Sequence, residues 1–275
     1  MSTVTVTVDG VPGMKIAYER RGAGEPLLLV HGIGHHRQAW EPVLGKLTAE
    51  RDVIWLDLPG FGDSGPIPPE LPHELDALAD TLIAFCAELG IDRPHIAGNS
   101  LGGLIALRLG QRGFARSVTA LAPAGLWTPR ERERAVRVLY SMRVAARHTP
   151  PQVVERLSRS AAGRRVVTGI IYNRPARRAP AAVVAETAAL RNATGFEGVL
   201  DTGRTGFVFE GDVPDVPVTV AWGTRDHILP LRQAEQARRQ FPAARIVTLP
   251  GCGHVPMNDD PDLVAQVILA ATTPR

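Results

Sequence analysis

The chain has 275 residues, 44% of them apolar, with 31 Lys and Arg against 28 Asp and Glu and a formal charge of +3. This composition suits a globular protein with one sizeable core and excludes a disordered chain. No apolar run approaches the ~20 residues that a membrane-spanning helix needs, and two cysteines, Cys86 and Cys252, are too few for a disulfide framework or a Cys-rich metal site. The first eight residues alternate apolar and polar, with no basic stretch followed by an apolar one. That pattern predicts a strand, not a secretory leader, and a reducing, cytoplasmic setting is the expectation.

Residues 3–8 and 14–19 predict two early strands joined by a turn at Asp9-Gly10. Residues 26–30 form a short continuous apolar run, as a strand buried on both faces does. Similar runs cover residues 52–56, 94–97, 117–121, 216–222 and 245–249. Between them, residues 74–89 place Leu75, Leu78, Ala79, Leu82, Ile83, Cys86 and Leu89 on one helical stripe. Residues 101–112, 231–240 and 262–270 predict further core helices. Strands alternating with helices predict an α/β fold, a mostly parallel central sheet flanked by helices on both faces.

The alternation stops after Leu121. Residues 131–147 carry Ala135, Val138, Leu139, Met142 and Ala146 at helical spacing, which points to core packing for Met142 and its neighbour Tyr140. Helical stretches at 152–160 and 181–191 follow, punctuated by Pro129, Pro150-Pro151, Pro175 and Pro180. The expected organisation is a core of residues 1–125, a helical lid of residues 126–207 and a second part of the core in residues 208–275. Residues 126–192 hold 14 Arg and only four acids, formally +10 against −7 for the remainder. Arg-rich, solvated helix faces account for this, with attraction of an anionic substrate as the alternative. Only three Tyr are present and no basic run is interleaved with aromatics, so nucleic acid is not an expected partner.

Four loops concentrate the chemistry. Gly98-Asn99-Ser100-Leu101-Gly102-Gly103 follows one predicted strand and opens a helix, the context of a G-x-S-x-G nucleophile elbow. The glycines leave room for strand and helix to approach, and Ser100 is held out at a helix N-terminus that favours negative charge. His254, in the glycine-rich loop after residues 245–249, is the candidate general base. His73, His95 and His148 have ordinary structural positions, and His227 adjoins the acid candidate and points away from it. Asp226, just past the strand at 216–222, is the candidate carboxylate that orients His254. Asp201, Asp212 and Asp215 follow no core strand. In Val30-His31-Gly32-Ile33-Gly34-His35-His36, glycines free the N–H of Ile33 to join that of Leu101 as an oxyanion hole. His31 braces this loop, and adjacent His35 and His36 rarely converge on one ion, so no metal and no cofactor are expected. Asn99, Trp127, Ile228 and Val255 are candidate substrate-binding residues from their positions beside these loops, and Cys252 is a buried filler.

Together these residues resemble the α/β-hydrolase superfamily, in its lid-bearing serine esterase, lipase and C–C hydrolase branch. The resemblance rests on His31-Gly32-Ile33-Gly34, Asp57-Leu58-Pro59-Gly60-Phe61-Gly62-Asp63-Ser64, the Ser100 elbow, Trp222-Gly223-Thr224-Arg225-Asp226 and Gly251-Cys252-Gly253-His254, in family order. It implies the chain order Ser100, Asp226, His254 for the triad and a supporting role for the loop at 57–64. Ser100 in place of an aspartate argues against epoxide hydrolases and dehalogenases. C–C hydrolases of dienol keto acids share Gly-Asn-Ser, but usually carry a Trp soon after the histidine, where this chain has Val255-Pro256-Met257-Asn258. They also bind a carboxylate through a lid Arg, which the basic segment could supply. The expected function is hydrolysis of a small-molecule, ester-like acyl bond. C–C hydrolysis and non-hydrolytic ligand binding are the alternatives, and no self-complementary apolar helix points to an oligomer.

Overall fold

A computed structural model describes residues 1–273. Strands β1 (Ser2–Val8) and β2 (Val11–Arg21) form a hairpin, and β2 also pairs antiparallel with β4 (Asp52–Leu56). The remaining strands, β3 (Pro26–Val30), β5 (His95–Asn99), β6 (Ser117–Leu121), β7 (Val218–Gly223) and β8 (Arg245–Leu249), run parallel with β4. The sheet order is β1-β2-β4-β3-β5-β6-β7-β8.

Alternation sorts the core into two layers. Leu28, Val30, Ile54 and Leu56 belong to one apolar cluster, and Leu27, Leu29, Val53 and Trp55 to the other. Successive side chains of a strand point to opposite faces, so a strand apolar at every position must be covered on both. Helices α2 (Leu75–Glu88) and α3 (Leu101–Gln111) cover the first face, and α1 (Glu41–Leu47) with the C-terminal helix Pro261–Ala271 covers the second. Strand β7 starts at Val218, two residues later than its apolar pattern predicts. Pro217 has no N–H to give a ladder, although its carbonyl still accepts from Val118.

Between β6 and β7 lie five helices: α4 (Pro129–His148), α5 (Pro151–Ser158), α6 (Ala161–Thr168), α7 (Pro180–Asn192) and α8 (Phe196–Gly203). Thr128 caps α4 in a reciprocal capping box with Glu131, which explains why the helix starts at Pro129. Two arginines of this segment are buried and a third is half-buried. Arg143, 2% exposed, binds Glu197 at 2.9 Å and the carbonyls of Leu190 and Ala193. Arg191 binds the carbonyls of Ala146 and Thr149 at the end of α4, and Arg178 is buried against Glu186. The expectation of Arg-rich solvated faces fails at Arg143 and Arg191 because terminal helix carbonyls need donors once neighbouring helices cover them, and at Arg178 because the buried Glu186 carboxylate needs a cation. The expectation of core packing fails for Tyr140, which is 51% exposed.

Candidate active site

Four loops leave the C-terminal ends of β3, β5, β7 and β8, which parallel pairing brings to one edge of the sheet. The sharpest is the turn from β5 into α3. Ser100 has φ 57° and ψ −115°, a conformation a non-glycine residue adopts at a cost of about 1–3 kcal/mol. Its N–H donates to the Leu121 carbonyl at 2.9 Å, and its carbonyl accepts from Leu104 and Ala124. A Cβ on Gly98 would fall inside the backbone of Gly102, and one on Gly102 inside the carbonyl of Val30. Only glycine permits this crossing, which carries Ser100 to the start of α3.

The loop after β3 passes directly over the serine: a Cβ on Gly32 would lie 3.0 Å from that of Ser100. The His31 ring fixes this loop. Its Nε2 accepts from the N–H of Leu58 at 2.9 Å, so Nδ1 carries the proton and donates to the Gly32 carbonyl at 2.7 Å. Burial holds the His31 imidazole below its usual pKa and so neutral. Among the described residues, neither the Ile33 N–H nor the Leu101 N–H donates to a protein acceptor. The second follows from its position in the first turn of α3.

Asp226 and His254 meet across the ends of β7 and β8. Asp226 Oδ1 accepts from the N–H groups of Ile228 and Leu229, each at 2.8 Å, and Oδ2 lies 2.8 Å from His254 Nδ1. A carboxylate only accepts, so Nδ1 bears the proton and Nε2 is left as a base. Trp222 Nε1 braces the acid loop by donating to the Leu229 carbonyl. Asp259, fully buried, pins the other loop: its carboxylate accepts from the N–H groups of Gly253, Asn173 and Arg174. Nothing in the local sequence of Asp259 predicts the tie to Asn173 and Arg174, which lie 86 and 85 positions upstream.

The loop at 57–64 is organised by the buried carboxylate of Asp57, which binds Arg37 and the N–H of Asp63. Arg37 in turn reaches Asp63 and Glu19. Gly60 accepts from Gly195 at the foot of α8, tying this loop to the helical segment.

Two cavities meet at Ser100. The larger, about 70 Å³, is lined by Ser100, His254, Asn99 and Val255 from the loops and by Leu139 and Leu190 from α4 and α7. The smaller, about 30 Å³, is lined by Leu101, Trp127, Val199 and Phe207. Ile33, Ser100, Leu139 and Ile228 border both. The four candidate substrate-binding residues therefore separate: Asn99 and Val255 line the larger cavity, Trp127 the smaller, and Ile228 both. The Asn99 amide nitrogen is already committed to the carbonyls of Leu121 and His254, so that group holds the base loop instead of reaching for a ligand. The Trp127 indole N–H is buried without an acceptor among the described residues.

The far wall of the larger cavity carries polar groups that sequence reasoning did not select. His35 Nδ1 accepts from the His36 N–H, so Nε2 bears the proton and faces the Tyr172 hydroxyl at 3.3 Å. That hydroxyl donates to Glu186 Oε1 at 3.0 Å, and Arg178 Nε donates to the same oxygen at 2.5 Å. Burial pushes the Glu186 carboxyl above its usual pKa and the His35 imidazole well below its own. The only sequence signal for Glu186 is that it is the sole acid of α7. Among the described residues, no group of three or more His, Cys, Asp and Glu is arranged to hold a metal ion. Cys252 is buried, and burial pushes its thiol up to about 12, which keeps it unreactive.

An uncharacterized protein of Mycobacterium tuberculosis is 28% identical over 94% of this chain and 78% of its own length. The acetyltransferase component of the acetoin cleaving system of Pseudomonas putida is 31% identical over 90% of this chain, which spans 63% of that protein. Among solved structures, a thermophilic esterase of Thermogutta terrifontis superposes with a TM-score of 0.73 at 26% identity, covering 98% of this chain and 97% of that one. Residues 27–267 match the model of the alpha/beta hydrolase family. The match runs from β3 to the last helix and takes in all four loops: the chain belongs to the alpha/beta hydrolase family.

Proposed function

We propose that the protein is a serine hydrolase that cleaves an ester-type acyl bond. The observation that carries this reading is the Asp226–His254 hydrogen bond beside a cavity that also holds the strained Ser100. Ser100 Oγ attacks the ester carbonyl carbon while His254 Nε2 takes the hydroxyl proton. The carbonyl oxygen becomes an oxyanion facing the N–H groups of Ile33 and Leu101, donors commonly worth about 3 kcal/mol each. His254 then returns the proton to the leaving alcohol oxygen as its bond to carbon breaks. Water, deprotonated by His254, attacks the acyl-enzyme and releases the acid and free Ser100. Asp226 holds the Nδ1–H tautomer and stabilises the imidazolium. Helices α4 to α8 act as the lid that keeps water from the acyl-enzyme.

No arginine lines either cavity among the described residues. That weighs against a dienol keto acid, whose carboxylate needs a cation, and supports an uncharged ester. The test is hydrolysis of p-nitrophenyl esters from acetate to long acyl chains, with wild type beside Ser100→Ala. Turnover should fall by a factor on the order of 10⁶ in the mutant, which keeps its fold. Persistent turnover in a clean Ser100→Ala preparation would sink the proposal.

A further inference from the structure

Glu186 is 6% exposed and lines the cavity that also holds Ser100 and His254. Its two oxygens are used very unequally. Oε1 accepts from both Tyr172 and Arg178, whereas Oε2 is buried and has no hydrogen-bond partner among the described residues. Leaving such an oxygen unpaired is costly, and the cost is recovered when a donor reaches it. The neighbouring groups do not supply one. The Tyr172 proton goes to Oε1, and the Thr187 hydroxyl donates to the Val183 carbonyl within α7.

The two cavities divide the substrate. The leaving alcohol must lie within reach of His254, which returns its proton, and His254 lines only the larger cavity. The acyl group is then left for the smaller cavity, whose lining is apolar apart from Ser100 and the Trp127 indole. Resting on the ester-hydrolase reading above, we propose that Glu186 is a specificity-determining acceptor for a free hydroxyl on the alcohol portion, so that the preferred substrate is a monoester of a diol or polyol. A cation is disfavoured at this place because the Arg178 guanidinium already neutralises the carboxylate. A substrate carboxylate is disfavoured because it would face Glu186 with no arginine lining the cavity.

The test uses three matched series of butanoate esters: ω-hydroxyalkyl, n-alkyl of equal length, and ω-methoxyalkyl, which can only accept. Wild type should favour the hydroxyl over the equal-length alkyl ester by roughly 10–100-fold in kcat/KM at one chain length, and should reject the ether. In Glu186→Gln an amide N–H₂ can replace the free oxygen, so the hydroxyl preference should fall and the ether should gain. Equal rates on hydroxyl and alkyl esters at every length, with the alkyl esters well hydrolysed, would overturn the proposal and leave the hydrolase reading intact. No hydrolysis of any series by folded wild type would remove both. Should Glu186→Gln not fold, the wild-type comparison of the three series decides alone, and a hydroxyl preference surviving in folded Glu186→Gln would also overturn the assignment.

Discussion

Asn99 Nδ2 donates to the backbone carbonyl of His254 at 2.9 Å, joining the residue before Ser100 to a loop 155 positions away. The same nitrogen donates to the Leu121 carbonyl on β6 at 3.1 Å. One amide thus ties the end of β5 to the end of β6 and to the loop after β8. Asn99→Ala would leave the buried His254 carbonyl unpaired and release its loop, while the Leu121 carbonyl keeps the Ser100 N–H. We expect a loss of about 1–3 kcal/mol in stability. A fall in kcat with KM little changed, read by steady-state kinetics, would mark a positioning effect on His254.

Asp226→Asn separates orientation from charge. An asparagine can still accept from the Ile228 and Leu229 N–H groups, so the loop should hold and Tm should change little. Its amide N–H₂ facing His254 would select the wrong tautomer. The expected loss in kcat is about 10⁴-fold, as for the equivalent change in a serine protease triad. Near-normal turnover in the folded variant would mean that Asp226 does not orient the base.

Asp259 should be worth more to stability than its place away from the cavity suggests. Its carboxylate satisfies three backbone N–H groups, of Gly253, Asn173 and Arg174, in a fully buried position. Asp259→Ala leaves all three without an acceptor. We expect about 3–5 kcal/mol of destabilisation in urea unfolding. A change below about 1 kcal/mol would show that water replaces the carboxylate there.

Burial pushes the His36 imidazole down to about 4, while the unfolded chain titrates near the ordinary 6.5. Between these values the unfolded state binds a proton that the folded state refuses. Stability therefore rises with pH through this window, and is lost as the solution is acidified from about 6.5 toward 4. The contribution is about 3 kcal/mol from this one group. His31 and His35 act with the same sign, since burial lowers both. Urea unfolding of His36→Leu at pH 7 and pH 4.5 should show a smaller difference than wild type; equal slopes would assign the acid sensitivity elsewhere.

The sequence by itself determined the strands and the turns. Runs such as residues 26–30 and 52–56 are apolar at every position, and period-two geometry then demands cover on both faces, which α1, α2, α3 and the last helix provide. The Ser100 turn was equally legible, because Gly98 and Gly102 are required by backbone atoms within a few residues or on the next strand. Loops at the ends of β3, β5, β7 and β8 share one edge because parallel crossover connections return these strands in one direction. Tertiary structure alone decided what those loops touch. The tie of Asn99 to His254 and those of Asp259 to Asn173 and Arg174 depend on groups far away in the chain, and these leave no local pattern. Arg143 and Arg178 read as surface charge until the packing of α4, α7 and α8 withdraws them from water. The pairing of Glu186 with Tyr172 and Arg178 was hidden likewise, since a single acid in an apolar helix carries no mark of its neighbours. Local periodicity encodes which face is buried, but the partner of a buried charge is fixed only when distant segments meet.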